Sequence, residues 1–216
     1  MKNQVLFGLL ILIISCTKEN NIKQSFGPKK ERYDYYENFL SKNVEKRDIE
    51  GWLPGGYDQA QSLPVLYMFD GQNIYHGIKG WDKKQYNHGW QVDETLDSLF
   101  SKGNIPKMIV VGVHNIGKKR YSEYTPAKPK SLIKKRMSNA DIWFRDVYDK
   151  HDITSDKFLK FLVEELKPFI DRNYKTDSGR NSTFLAGSSM GGLISAYAIC
   201  EYPNIFGGAA CISTHW

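Results

Sequence analysis

Cysteine is scarce in this chain, with three residues among 216. So few cysteines exclude a disulfide-stapled scaffold, and the fold must be held by apolar burial instead. With 41% hydrophobic residues, the chain can bury one substantial core. Cys200 and Cys211 lie in apolar segments with the character of a helix and a strand, where a free cysteine usually packs as a small buried hydrophobe.

The chain also lacks a long apolar run at its start, because residues 5–14 are too few to cross a bilayer as a helix. They follow Lys2, have the length of a signal-peptide core, and lead to Cys16 in a pattern that resembles the lipobox of bacterial lipoproteins. We therefore expect a signal peptide at 1–15, a polar tether at 16–30, and lipid on Cys16 that anchors the protein to a cell-envelope membrane. An ordinary secretory signal that happens to end in cysteine is the alternative.

Basic residues exceed acidic ones by 30 to 24, but they do not form a nucleic-acid surface. The densest clusters, residues 118–120 and 134–136, are short and lack interleaved aromatic side chains, so we expect no nucleic-acid partner. The histidines are too far apart for a metal cluster, and we expect neither a metal nor a cofactor. Four of them fall on predicted loops or strand ends and are expected mostly at the surface: His76, His88, His114 and His151. The oligomeric state stays open.

Strands and helices alternate along the chain. Apolar segments predict strands at 63–69, 108–113, 181–186 and 207–214, with an earlier antiparallel strand within 38–53, and helical spacing occurs at 92–102, 153–174 and 193–199. This alternation predicts an α/β fold whose mostly parallel sheet is covered on both faces, in one domain at 31–216. The long connection at 115–151 either covers substrate or is an ordinary surface excursion.

Residues 186–192 have the sequence AGSSMGG and match Gly-x-Ser-x-Gly around Ser189. The motif lies between a predicted strand and a predicted helix, which is the setting of a nucleophile elbow. Gly191 and Gly192 would let the helix pass close to the strand that it has just left. The motif predicts that Ser189 is a nucleophile; a glycine-rich turn without chemistry is the alternative.

Ester hydrolysis through a serine also needs donors for the oxyanion that develops on the substrate. One is expected to be the amide after the nucleophile, here Met190, and the other an amide from a loop after an earlier strand. The Asp70-Gly71 pair follows such a strand, and Gly71 would let the backbone bend so that the Gln72 amide faces the site. A simple Asp-Gly turn is the alternative.

Four segments, residues 63–73, 90–96, 120–126 and 161–216, together resemble the esterase D family of α/β hydrolases. That family includes feruloyl and carbohydrate esterases, S-formylglutathione hydrolases, enterochelin esterases and mycolyltransferases. The resemblance covers most of the chain from about residue 38 and is weakest around 128–150. It implies an α/β-hydrolase fold and a carboxylic ester substrate, such as an acylated carbohydrate or a siderophore-like ester. It also implies that Ser189 is the nucleophile and that the Gln72 and Met190 amides form the oxyanion hole.

The other triad members should follow the serine along the chain in this fold. After Ser189, Glu201 is the sole acid and His215 the sole histidine, and Glu201 would lie roughly 18 Å along the helix from the serine. We therefore expect a chain that lacks the last strands of the fold and is catalytically impaired, with His215 and Trp216 lining the pocket rather than supplying a base.

Arg120 and Tyr124 follow a predicted central strand and are candidate substrate contacts, and Glu123 lies between them. A structural ion pair is the alternative for the charged residues. Two rival functions remain open on these residues. One is a non-catalytic surface lipoprotein that binds a glycan or an acyl ligand, and the other is an acyltransferase.

Overall fold

The computed structural model of the chain describes residues 24–26, 32–57, 62–75, 89–128 and 152–214. These residues form a seven-stranded sheet with strands β1 (Gln24–Phe26), β2 (Arg32–Phe39), β3 (Arg47–Leu53), β4 (Val65–Phe69), β5 (Ile109–Val113), β6 (Thr183–Ser188) and β7 (Gly208–Ile212). The helices are α1 (Val92–Ser101), α2 (Arg120–Tyr124), α3 (Ser155–Phe161), α4 (Lys167–Asn173) and α5 (Met190–Glu201). A π-helical turn at Leu162–Leu166 joins α3 to α4.

The sheet has the order β1-β2-β3-β5-β4-β6-β7. Strands β5, β4, β6 and β7 are parallel, whereas β1, β2 and β3 pair antiparallel and β3 joins β5 antiparallel. Parallel strands bring their carboxyl ends to one edge of the sheet, so the loops after β4, β5 and β6 meet there. The predicted parallel sheet is confirmed in this half.

The central strands are buried on both faces, because their side chains alternate between two apolar layers. Val111 packs in a large cluster with Phe158 and Ile194, whereas its neighbour Val110 packs in a smaller one with Trp52. Helices α3, α4 and α5 contribute to the large cluster, and α1 covers the small one. Apolar residues of both layers are almost fully withdrawn from water, which explains the near-continuous apolar runs of β4 and β5.

The antiparallel half differs from the sequence-based expectation. The region predicted as a single strand within 38–53 instead contains the end of β2, a short connection and β3. The loose alternation of apolar residues does not show where the connection interrupts the two strands. Residues 24–26, expected in the tether, form β1 and pair with β2. Tether composition is polar, but backbone pairing at a sheet edge does not depend on apolar side chains.

The expected burial of the two C-terminal cysteines is wrong, since Cys200 and Cys211 are both exposed. Cys211 lies on β7, which among the described residues pairs only with β6 and leaves Ile212 half exposed. His114, expected at the surface, is buried, and its Nε2 lies 2.8 Å from Glu50 Oε1.

Several other sequence-based predictions fall outside the described residues: those on Cys16, His76, His88, His151, His215, Trp216 and most of the connection at 115–151. Within the described ranges, no helix has both the length and the apolar character needed to cross a membrane.

Candidate active site

Ser189 stands at a sharp turn between β6 and α5. Its backbone has φ 57° and ψ −118°, a conformation that residues with a side chain rarely adopt and that costs on the order of 1–3 kcal/mol. Two hydrogen bonds hold it there: the Ser189 N–H donates to the Ile212 carbonyl at 2.9 Å, and the Leu193 N–H donates to the Ser189 carbonyl at 3.1 Å. The serine is therefore fixed from β7 on one side and from the new helix on the other.

Glycines let the helix turn back tightly after the strand, as the sequence predicts. A Cβ on Gly187 would lie 2.3 Å from the Gly191 carbonyl oxygen, and one on Gly192 would lie 2.7 Å from Thr214 Oγ1. Real Cβ atoms essentially never come closer than 3.0 Å to such atoms. The close approach of β6 and α5 thus requires glycine at position 187, where the clashing atoms are backbone, while Gly192 leaves room for the Thr214 side chain.

A second turn lies beside the elbow, at the end of β4. Asp70 adopts left-handed backbone angles, φ 60° and ψ 44°, and a 3-10 turn follows at Gly71–Asn73. The sequence-based prediction that Gly71 makes the bend is wrong, because Asp70 and not Gly71 has the positive φ. Gly71 is required for a different reason: a Cβ there would lie 2.6 Å from the carbonyl carbon of Gly112 in β5. Aspartate tolerates the left-handed region better than most residues, so Asp70 makes the bend.

The two predicted oxyanion donors lie at the starts of helical turns. Gln72 is the second residue of the 3-10 turn and Met190 is the first residue of α5, positions whose N–H groups have no partner within the helix. Within the described part of the chain, neither amide donates a backbone hydrogen bond elsewhere. Gln72 and Ser189 line one cleft of about 490 Å³, so the predicted nucleophile shares a cavity with the residue of one predicted donor amide.

Aromatic and cationic side chains complete the cleft. Trp90 and Tyr121 line it together with Lys118 and Arg120. Trp90 is 39% exposed. Its backbone N–H donates to the Asn73 carbonyl at 2.7 Å, which links Trp90 to the 3-10 turn that contains Gln72. The sequence analysis did not single out Trp90 as a site residue; an exposed tryptophan just before an amphipathic helix was the available signal.

Arg120 lines the cleft, but its charge is committed to Asp70. Its Nε and Nη2 donate to the two carboxylate oxygens of Asp70, each at 2.7 Å. Burial opposes the guanidinium charge, but the hydrogen bonds and the negative charge of Asp70 outweigh it and raise the pKa of Arg120. The structural ion pair that the sequence analysis left open is present. Glu123 makes another such pair, with Arg47.

The expected substrate contact by Tyr124 is wrong, because its side chain is fully buried beneath the β4 loop. Its hydroxyl oxygen lies 3.4 Å from the Asp70 N–H, from which it accepts a hydrogen bond. Burial, together with the nearby Asp70 charge, raises the pKa of Tyr124 well above its usual value. Tyr124 therefore supports the loop from below.

A general base for Ser189 does not come from the described residues. His114 is the sole histidine among them, and it is engaged with Glu50. Glu201 is also engaged elsewhere, since it accepts a hydrogen bond from Lys128. In the same part of the chain, no three His, Cys, Asp or Glu side chains come together as metal ligands. Among the predicted site residues, the described cleft thus brings together Ser189, Gln72 and Arg120.

The parallel sheet, the strained serine and the helix that begins immediately after it define the α/β-hydrolase fold class. Within that class the chain belongs to the esterase family, because the family model described as "Putative esterase" matches residues 43–216. The sequence-based prediction of fold and family is confirmed.

Curated and solved relatives agree with this assignment. The ferri-bacillibactin esterase BesA of Bacillus subtilis is 26% identical over 169 residues, which cover 76% of this chain and 50% of BesA. An IroE-like serine hydrolase from Shewanella oneidensis superimposes with a TM-score of 0.60 at 27% identity, over 84% of this chain and 50% of that protein. A CE1 ferulic acid esterase from Anaeromyces mucronatus shares the fold, with a TM-score of 0.58 and 22% identity over 92% of this chain and 64% of the esterase. The chain spans about half the length of the curated relatives it matches.

Proposed function

We propose that this protein is a serine-dependent carboxylic ester hydrolase. The observation that supports this most directly is the shared cleft, which is lined by the strained Ser189 and by Gln72, whose amide donates no backbone hydrogen bond to another described residue. A hydroxyl on such a turn projects from the backbone, and helix-start amides stabilise negative charge that develops on a carbonyl oxygen.

In the proposed reaction, Ser189 Oγ attacks the ester carbonyl and its proton passes to a base. The carbonyl π electrons move onto oxygen, where the Gln72 and Met190 amides donate to the oxyanion. Collapse of this intermediate expels the alcohol, which takes up a proton, and leaves an acyl-serine. Water then attacks the acyl-serine, releases the carboxylic acid and restores the hydroxyl.

The proposed substrates are esters of acylated carbohydrates or siderophore-like compounds. This proposal is supported by the names of two similar proteins, a ferulic acid esterase and a ferri-bacillibactin esterase. The aromatic side chains of Trp90 and Tyr121 at the cleft agree with a ring-bearing substrate. We also propose that lipid on Cys16 anchors the protein to a cell-envelope membrane, on the basis of residues 5–16 of the sequence.

A covalent fluorophosphonate probe tests the nucleophile, because it phosphonylates an activated serine whatever the natural ester is. We expect peptide mass spectrometry to place the adduct on Ser189 in the full chain, and Ser189→Ala to abolish labelling. Ser182→Ala is the matched control, since Ser182 is only partly buried and bonds to Asp177 before β6 begins. This variant should label like the parent.

An adduct on another residue, or no adduct on folded protein, would refute the serine mechanism. Hydrolysis and transfer are separated by supplying p-nitrophenyl acetate with and without a competing alcohol. Hydrolysis predicts acetic acid as the main product in both cases. An acetylated alcohol as the main product would assign the protein to the acyltransferases instead.

A further inference from the structure

We propose that Asp70 is a positioning residue for the oxyanion hole, and that its ion pair with Arg120 keeps the Gln72 amide directed into the Ser189 cleft. This inference rests on the proposed function of Ser189. Asp70 stands two residues before Gln72, at the left-handed bend that begins the 3-10 turn. The direction of the Gln72 N–H therefore depends on what holds Asp70 in place.

Asp70 is held at both its backbone and its side chain. Its carboxylate, only 2% exposed, accepts two hydrogen bonds from Arg120 and a third from Asn115 Nδ2 at 2.7 Å. Its N–H donates to the buried Tyr124 hydroxyl. A buried carboxylate with charge-assisted hydrogen bonds to two separate elements has little freedom to rotate. These contacts together hold the backbone of Asp70 in its strained left-handed conformation.

Asn115 connects this carboxylate to Gln72 directly. Its side chain donates to Asp70 Oδ1, while its backbone N–H donates to Gln72 Oε1 at 3.2 Å. The loop after β5 therefore contacts both the residue that bends the chain and the residue that supplies the amide. Gln72 is fixed through its side chain as well as through the turn.

The same carboxylate also lies against the other half of the oxyanion hole. A Cβ on Gly191 would come within 3.2 Å of Asp70 Oδ2, so the carboxylate touches the first turn of α5, one residue after Met190. A helix N-terminus favours a nearby negative charge. Asp70 thus joins the loop that carries Gln72 to the helix that carries Met190.

The hydrogen bonds of the ion pair join Arg120 to the β4 loop, and Asp70 is joined to Asn115 and Tyr124. The pair acts through the backbone, so its loss should slow the chemical step and leave the binding of a neutral probe almost unchanged. Loss of a single oxyanion donor typically slows an acyl-transfer enzyme by about 10²–10³-fold. A donor that is misdirected but still present should cost somewhat less.

The test compares Asp70→Asn with the parent in two-step labelling by the fluorophosphonate, which yields the maximal rate kinact and the binding constant KI separately. Asparagine keeps the shape of aspartate and removes the charge that Arg120 needs. We expect kinact to fall by about 30–300-fold and KI to change by less than about threefold.

Asp34→Asn is the matched control. Asp34 is fully buried on β2, accepts from Arg32 Nε at 3.1 Å and Nη2 at 2.8 Å, and accepts from the Tyr174 hydroxyl at 2.9 Å. The aspartate-to-asparagine substitution there also removes the charge from a buried carboxylate that pairs with an arginine, but it does so in the antiparallel half of the sheet. We expect Asp34→Asn to lower Tm as Asp70→Asn does and to leave kinact within about twofold of the parent.

Two results would overturn the proposal. One is a folded Asp70→Asn protein whose kinact stays within about threefold of the parent. The other is a rise in KI at constant kinact, which would make the pair a substrate contact. If Asp70→Asn does not fold, Arg120→Gln takes its place, because it breaks the same ion pair from its other side; kinact should then fall by about tenfold. If the parent is not labelled at Ser189, the proposed function itself is refuted. If the parent is labelled and Asp70→Asn is labelled equally fast, only the role of the ion pair is refuted.

Discussion

Gly187→Ala should destabilise the protein more than any ordinary surface substitution in the elbow region. The added methyl group would lie 2.3 Å from the Gly191 oxygen, 2.4 Å from its carbonyl carbon and 2.8 Å from its Cα. All three are backbone atoms of α5, so no side-chain rotation relieves the contact. The helix must move by about 0.7 Å to reach the 3.0 Å limit of real Cβ contacts.

We expect this movement to cost about 3 kcal/mol, the upper end of the usual range for overpacking in a dense interior. For a domain of this size, that corresponds to a fall in Tm of ~6–12 °C. Thermal unfolding followed by circular dichroism measures it. The shift should also carry Ser189 away from the Gln72 amide, so fluorophosphonate labelling should slow at temperatures where the variant is folded.

Gly179→Ala is the matched control, because Gly179 has an ordinary φ of −68° and, among the described residues, its added Cβ would meet only Asp177 Oδ1, at 3.5 Å. This variant should keep or slightly raise Tm, by the reduction in unfolded-chain entropy. A Gly187→Ala protein with the Tm and labelling rate of the Gly179→Ala control would refute the close packing of β6 against α5.

Two further predictions concern ionisation and anchoring. Burial, followed by the neighbouring Glu94, raises the pKa of Asp93 to about 6, although the Tyr33 hydroxyl donates to its carboxylate at 2.5 Å. The native state then keeps a proton that the unfolded chain releases near pH 4, so stability is greatest below that pH and falls as pH rises to about 6. Urea unfolding between pH 4.5 and 6.5 should show Asp93→Asn losing ~1–2 kcal/mol less than the parent; parallel curves would contradict the raised pKa. Cys16→Ala should abolish incorporation of labelled palmitate in a bacterial host and release the protein from the membrane fraction, and a parent without palmitate would exclude the anchor.

Much of the site could be predicted from the sequence because its elements are local. The residues on either side of Ser189 specify an apolar strand, a glycine turn and a helix within about twenty positions, and each has a short-range pattern. The Met190 amide follows from that motif alone. The Gln72 amide required the additional inference that the β4 loop meets the elbow, which the parallel order of the strands allows.

The contacts that organise the site were missed because they join distant positions. Arg120 and Asp70 are 50 residues apart, and nothing in either segment indicates that the arginine binds a carboxylate rather than a substrate. Tyr124 was a candidate substrate contact because a tyrosine in the loop after a central strand can reach a polar substrate. In the structure, α2 packs so that the Tyr124 side chain points into the core. His114 stands at a predicted strand end, and nothing local indicates that β3 places Glu50 against it and that the pair is buried.

By itself, the sequence determined which segments become strands and helices around the elbow and which hydroxyl stands at its tip, because hydrophobic periodicity and glycine placement act over a few neighbouring residues. The tertiary structure alone decided where the charges go: Asp70 meets Arg120, Asn115 and the start of α5 only after parallel strands have brought three separate loops to one edge of the sheet. Burial at that edge strengthens the pairing of opposite charges, and it is the packing of the whole domain that creates the burial.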